Sequence, residues 1–342
     1  MSSDQMTAPV ATRAPVQVQP VWRSVVRWET ALVFLVIATI IFGAQENEHF
    51  LNTTTLFFVG LNMGEIAIMA LPLTLIVVTG EIDLSVASML GLSSTLLGYL
   101  YQHGWSIWLA MVAVLVVGAA GGALNGFLVT RLGLPSIAVT IGTLTLFRGV
   151  AEIILGTDSV GGYPQSLTNV GVIPIPGTQL AYSFGIFLVL AMVYGVVLHA
   201  TPVGRSVFAI GLQSEAAYFS GIRVNRIKFL LFVLSGLVCA FAGILWTLRF
   251  ATSRYDAGTG LELTVVTIVL LGGVSIFGGR GSILGVVLAV VIVGCLQEVL
   301  TLMTVDAQVQ NIITGGLLLV SVILPNTAEG LRRFRARVRR RA

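Results

Sequence analysis

Ile107-Trp108-Leu109-Ala110-Met111-Val112-Ala113-Val114-Leu115-Val116-Val117-Gly118-Ala119-Ala120-Gly121-Gly122-Ala123-Leu124 runs for eighteen residues without a charged side chain. A helix on the surface of a soluble protein keeps one polar face, and this stretch has none. It is instead long enough to cross a hydrocarbon layer about 30 Å thick. Working outward from it, comparable apolar runs recur along the chain. Together they place ten spans at roughly 29–45, 57–79, 84–101, 107–130, 136–155, 181–200, 227–249, 261–278, 282–303 and 308–325. The fold class expected is an all-α, polytopic membrane protein. Only 10% of the 342 residues are charged, well below the quarter or so found in soluble domains, and 56% are hydrophobic.

Around these spans the chain divides into a polar tail over 1–28, expected to be disordered and cytoplasmic, a membrane domain over 29–325, and a basic cytoplasmic tail over 326–342. The first apolar run resembles a signal-peptide core ending at Phe42-Gly43-Ala44, but is assigned as an uncleaved first helix. Lys and Arg set the orientation, because cytoplasmic loops carry them in excess. With the N-terminus inside, 16 of the 19 fall on the cytoplasmic side, including Arg131, Arg205, Arg223, Arg226, Lys228, Arg280 and the C-terminal arginines. Residues 156–180 then lie outside and 201–226 inside. The net charge of +4 thus describes membrane topology and implies no nucleic acid. Cys239 and Cys295 sit in apolar segments and suggest neither a disulfide nor a metal site. His49, His103 and His199 are far apart, without metal-ligand spacing, so a membrane enzyme is disfavoured and no catalytic residue is assigned.

The chain also resembles itself. Asp83-Leu84-Ser85-Val86-Ala87-Ser88 matches Glu262-Leu263-Thr264-Val265-Val266-Thr267, and Ser106–Gly118 matches Ser282–Gly294 in the same order. The third span runs outward and the eighth inward, so the repeat relating spans two to five and seven to ten is inverted, as in many transporters.

Three motifs stand out. Gly80-Glu81-Ile82-Asp83-Leu84-Ser85-Val86-Ala87-Ser88 puts two carboxylates beside a span, which is costly unless they are paired or solvated. It is read either as a helix junction capped by Asp83 or Ser85, or as a discontinuous segment lining a pathway with Ser88, Asn125 and Glu262. Gly118, Gly122 and Gly126, with Asn125 beside them, predict a helix-contact face. Gly272-Gly273-Val274-Ser275-Ile276-Phe277-Gly278-Gly279-Arg280-Gly281-Ser282 allows a tight cytoplasmic turn, and it lacks the Gly-x-x-x-x-Gly-Lys-Ser/Thr of a phosphate loop. Inside spans, Arg148 and Glu152 stand one turn apart and are expected to pair, while Glu65 and Glu298 are isolated charges.

The third motif is Gly204-Arg205-Ser206 followed by Glu215-Ala216-Ala217-Tyr218-Phe219-Ser220-Gly221-Ile222 in the large cytoplasmic loop. Glu-Ala-Ala with a Gly beyond it resembles the coupling-helix motif of ABC importer permeases. With the glycine-rich and Gly80 motifs and ten spans, the chain resembles the ribose/xylose/arabinose class of sugar ABC permeases over about 29–325. That class is related to branched-chain amino-acid permeases. Glu81 departs from the class, where a second Gly is common. The resemblance implies coupling through Gly204, Arg205, Glu215, Ala216, Ala217 and Gly221. It also implies a separate ATP-binding-cassette subunit that holds ATP and Mg²⁺, a periplasmic or lipid-anchored solute-binding protein, and a second permease chain. The setting implied is a bacterial inner membrane with both termini cytoplasmic. The solute implied is a monosaccharide of rhamnose or ribose type, or autoinducer-2; Arg249, Arg254 and Asp256 are candidate outer-face docking charges. The alternatives are a branched-chain amino acid as solute, or a secondary transporter driven by an ion gradient.

Overall fold

The computed structural model describes residues 22–321 and residue 323. Among these residues the chain is helical, with no named strand. The elements are α1 (Trp22–Glu46), α2 (Thr53–Val78), α3 (Val86–Gln102), α4 (Ile107–Thr130), α5 (Ser136–Leu155), α6 (Gln165–Val172), α7 (Tyr182–Ala200), α8 (Pro202–Leu212), α9 (Ser214–Phe219), α10 (Val224–Phe250), α11 (Leu261–Leu271) and α12 (Ile283–Leu302). A further helical stretch, α13, covers 307–321. The expected basic tail lies outside the described residues, and α1 begins within the stretch assigned to the N-terminal tail.

Among the described residues, seven helices are long and apolar enough to cross a membrane: α1 (from Trp28), α2, α4, α5, α7, α10 and α12. The other three expected spans are shorter helices. α3 has 17 residues and α11 only 11, because Gly272 and Gly273 stop α11 well before residue 278. α13 is the counterpart of the expected tenth span.

With lipid around them, helix ends cannot leave their last carbonyls unsatisfied. Several helices here solve this the same way. After α2, the amide of Gly80 donates to Val77 O (2.9 Å) and that of Glu81 to Ile76 O (3.3 Å), with Gly80 left-handed at φ 85°. α11 ends alike on Gly273 and Val274, and α3 on Gly104 and Trp105. This is the Schellman pattern, and it calls for a residue without a Cβ.

α2 is the central helix, buried over most of its length and packed against α7, α10, α12 and α11. The most extensive pairing is α4 on α10. Gly118, Gly122 and Gly126 of α4 face Gly236, Phe232 and Phe229 of α10, and a Cβ at Gly122 would overlap the Phe232 carbonyl oxygen. The glycine face predicted from spacing is therefore the α4–α10 contact. Apolar side chains at Val112, Val116, Val189, Met192 and Val196 stay exposed on α4 and α7, as a lipid-facing belt requires.

Candidate functional site: a buried junction between two ends of the bundle

The break between α2 and α3 carries the two carboxylates of the Gly80 motif, and the fold treats them differently. Glu81 forms an ion pair with Lys228 at the start of α10, both only partly exposed. Asp83 is buried, with no cation in contact. Its Oδ1 accepts from the Ser85 amide (3.0 Å) and hydroxyl (2.6 Å), and its Oδ2 accepts from Ser235 Oγ of α10 (3.0 Å). Asn125 of α4 donates through Nδ2 to Ser85 Oγ (2.9 Å), and Ser88 donates to Ser85 O. The Asn125 Oδ1 beside them has no hydrogen-bond partner. The Ile82 amide donates to Ser136 Oγ, and Thr140 of α5 donates to Ile82 O. Four elements thus converge on an irregular segment, which is tolerated at membrane depth only when protein satisfies its backbone. Ser85 is the N-cap of α3 but makes no capping bond through its own side chain; Asp83 takes over that function.

At the other end of α10 from Lys228, Arg249 in the last turn donates to Glu65 Oε2 of α2 (3.1 Å) and Asn62 Oδ1 (2.6 Å). Asn62 in turn donates to Glu298 of α12 (3.4 Å). Sequence spacing alone did not connect these residues, because their partners lie 184 and 236 positions apart. Arg249 is therefore turned inward, which corrects its assignment as a free docking charge. Arg254 and Asp256 do form an exposed pair, 2.9 and 3.0 Å apart. With Trp246 and Phe250 they border an open cavity of about 410 Å³ at the α10–α11 loop.

The expected Arg148–Glu152 pair is absent among the described salt bridges. Arg148 Nη1 donates instead to the carbonyls of Tyr255 (2.9 Å) and Ala257 (2.7 Å), while Glu152 is exposed. Gly91 of α3 leaves the room for this, since a Cβ there would stand 2.5 Å from Arg148 Nη1. Two orphan carbonyls in a loop are stronger claimants than a carboxylate that can stay solvated. The same loop is held by an antiparallel bridge between Val160 and Ser253 and by the Tyr163–Ser253 hydroxyl contact of 2.6 Å. Glu262, at the start of α11, is half-buried and contributes to the field at Arg148.

On the other side, α8 and α9 make up the large loop. α8 starts with Thr201 capping Gly204, and Gly204 is buried against α7. Arg205 and Glu215 are exposed. α9 presents Tyr218 and Phe219 to solvent, 66% and 79% exposed, and buries Ala217. Gly221 ends it in a left-handed conformation, its amide bonded to Tyr218 O and that of Ile222 to Ala217 O. The Glu-Ala-Ala-x-x-x-Gly spacing is thus one short helix with its glycine stop. Gly272 lies where a Cβ would strike the Val286 backbone of α12, and Gly273 leaves room for the Trp28 ring of α1. Among the described residues no group of His, Cys, Asp and Glu has the arrangement to hold a metal.

Residues 55–322 match the family described as the permease component of a branched-chain amino acid transport system. The chain is 36% identical over 302 residues to the autoinducer 2 import system permease protein LsrD of Escherichia coli (strain K12), covering 86% of this chain and 91% of that one. The protein of the same description in Shigella flexneri matches equally, and that of Salmonella paratyphi B is 35% identical, with 86% and 90% covered. No solved structure matches. The match takes in all seven long spans except the first, together with the junction and the α8–α9 loop, and the chain belongs to this family of transport permeases, as its resemblance to sugar-type ABC permeases implied.

Proposed function

We propose that this chain is the membrane-spanning subunit of an ABC importer in a bacterial inner membrane, with both termini cytoplasmic. It carries a small, hydroxyl-rich solute, autoinducer-2 or a monosaccharide of rhamnose or ribose type. The observation that carries the reading is α9. A six-residue helix between two long spans exposes Glu215, Tyr218 and Phe219, a poor surface for water alone and a good one for a groove on an ATP-binding-cassette subunit. Arg205 and Glu215 frame that lever, and Gly204 seats it on α7. ATP and Mg²⁺ are bound by the partner subunit; this chain makes and breaks no bond. A binding protein docks outside, where Arg254 and Asp256 are exposed to steer it. A second permease chain completes the pathway.

Support for an inverted repeat comes from matched local structure. α3 and α11 are both short helices, of 17 and 11 residues. α4 and α12 both begin at a serine, Ser106 and Ser282, whose hydroxyl accepts an amide three residues on. The pathway then runs at the interface of the halves, bordered by the junction that Asp83, Ser85, Ser88 and Asn125 hold.

The family description favours a second reading, a branched-chain amino acid as solute. The test is uptake into vesicles holding this chain with its ATP-binding subunit and second permease, fed by the binding protein. Labelled autoinducer-2, rhamnose, ribose and leucine are offered in turn. ATP-dependent uptake of one of the first three is expected. Uptake of leucine alone supports the second reading, and uptake independent of ATP sinks both. Replacing Glu215 with Ala and Gly221 with Val together is expected to lower solute-stimulated ATP hydrolysis about tenfold.

A further inference from the structure

Three stretches far apart in sequence meet at the cytoplasmic end without any side chain between them. Gly211, in the last turn of α8, sits against the last turn of α2, where a Cβ would overlap the Val78 carbonyl oxygen and the Gly279 amide. The Gly279 amide donates to that same Val78 oxygen (2.8 Å). Gly278, left-handed at φ 81°, lies so close that a Cβ would stand 2.9 Å from Gly80 N and 3.0 Å from Gly211 O. Leu212 packs over Gly279. The glycines therefore form a knot of bare backbone. It joins the lever α8 to the segment that leads into α3 and to the turn that leaves α11.

Two properties make this knot more than a tight turn. Backbone against backbone leaves no rotamer to absorb a displacement, so a shift of α8 is passed on rather than dissipated. It is also pinned electrostatically: Glu81, next to Gly80, pairs with Lys228, which lies just past the α8–α9 loop at the foot of α10. The knot reaches both short helices, α3 and α11, which are the matched members of the internal repeat. Beside it, Leu212 and Phe277 are 70% and 74% exposed, adding to the exposed apolar area of Tyr218 and Phe219.

We infer that the Gly211–Val78–Gly80–Gly278–Gly279 contact is the transmission by which α8 moves the α3 and α11 segments together, with Gly211 as its positioning residue and Glu81–Lys228 as its pin. This rests on the ABC-importer reading above. A looser footing on the ATP-binding subunit would alter assembly and hydrolysis; a broken transmission would leave both and stop transport. The ratio of solute moved to ATP hydrolysed separates the two.

The experiment uses the complete reconstituted complex. Gly211→Ala is expected to assemble and hydrolyse ATP at the wild-type basal rate, while solute moved per ATP falls about tenfold. Gly195→Ala, in α7 with no neighbour nearer than ordinary contact, is the control and keeps the wild-type ratio. If Gly211→Ala does not accumulate, the pin carries the test. Glu81→Gln and Lys228→Gln each lower the ratio, and the exchanged pair Glu81→Lys with Lys228→Glu restores it. A wild-type ratio in Gly211→Ala overturns the inference, as does a proportional fall of hydrolysis and uptake, or failure of the exchanged pair to exceed the single changes. If the wild-type complex shows no ATP-dependent uptake, the importer reading itself fails, and that outcome is distinct from all of these.

Discussion

Arg249 shows how a single residue changes meaning between sequence and fold. Its Glu65 partner is 1% exposed and its own side chain 11%, so the pair is largely buried. Removing one member leaves an uncompensated charge, at a cost of about 3–5 kcal/mol, whereas removing both costs far less. Arg249→Met is therefore expected to lower the thermal unfolding midpoint of the detergent-solubilised protein markedly. Adding Glu65→Met to it recovers most of the loss; an additive double change would contradict the pairing. Tyr163 makes a pH prediction. Burial, the leading cause, raises its phenol to about 12 from an ordinary 10.0, partly offset by the Ser253 hydroxyl. The folded loop holds its proton where the unfolded chain has released it. That contribution is complete below pH 10 and is lost as pH rises toward 12. Phenolate absorbance followed against pH is expected to show one fewer late-titrating tyrosine in Tyr163→Phe than in wild type. Asp83 had two readings in sequence, cap or pathway. Its carboxylate accepts the Ser85 amide, as a cap does, along with the hydroxyls of Ser85 and Ser235, and only packing could bring Ser235 there.

Among the elements, the α4–α10 pair and α9 were the most legible. Glycines four apart recur on one helical face, which is why Gly118, Gly122 and Gly126 announced a contact. What they could not announce was the partner, since α10 offers Gly236 from more than a hundred positions away. Gly122→Leu is expected to push the Phe232 backbone away and abolish accumulation of folded protein, read as loss of a monodisperse peak in size-exclusion chromatography. In α9, Gly221 holds φ 84°, a conformation that costs other residues about 1–2 kcal/mol. Gly221→Val is expected to fray the helix, seen as faster hydrogen exchange at the amides of Gly221 and Ile222. α11 was misjudged in length because Val274, Ile276 and Phe277 prolong its hydropathy past Gly272, and hydropathy does not register where a helix stops.

Across the whole molecule, α10 carries an ion pair at each end, Lys228 with Glu81 and Arg249 with Glu65. These cations are twenty-one residues apart, about 31 Å along an α-helix, close to the thickness of the hydrocarbon layer. The charges thus sit near the two interfaces, with the apolar stretch between them. The orientation derived from Lys and Arg is open to a direct check in a chain with Cys239 and Cys295 replaced by Ala. Thr178→Cys is expected to react with a membrane-impermeant maleimide in intact cells, and Ser214→Cys only after permeabilisation; the opposite pattern would invert the topology. Composition and hydropathy suffice for the helical class and most of the spans, because a lipid solvent demands apolar length, and that property is local and additive along the chain. The α9 helix was visible for the same reason, its glycine stop lying within a few residues of its start. The junction at Asp83, the inward turn of Arg249, the release of Arg148 from Glu152 and the bare-backbone contact at Gly211 belong to the tertiary structure alone. Each depends on which partner lies closest in space across separations of many tens to hundreds of residues, and no local property of the chain encodes that distance.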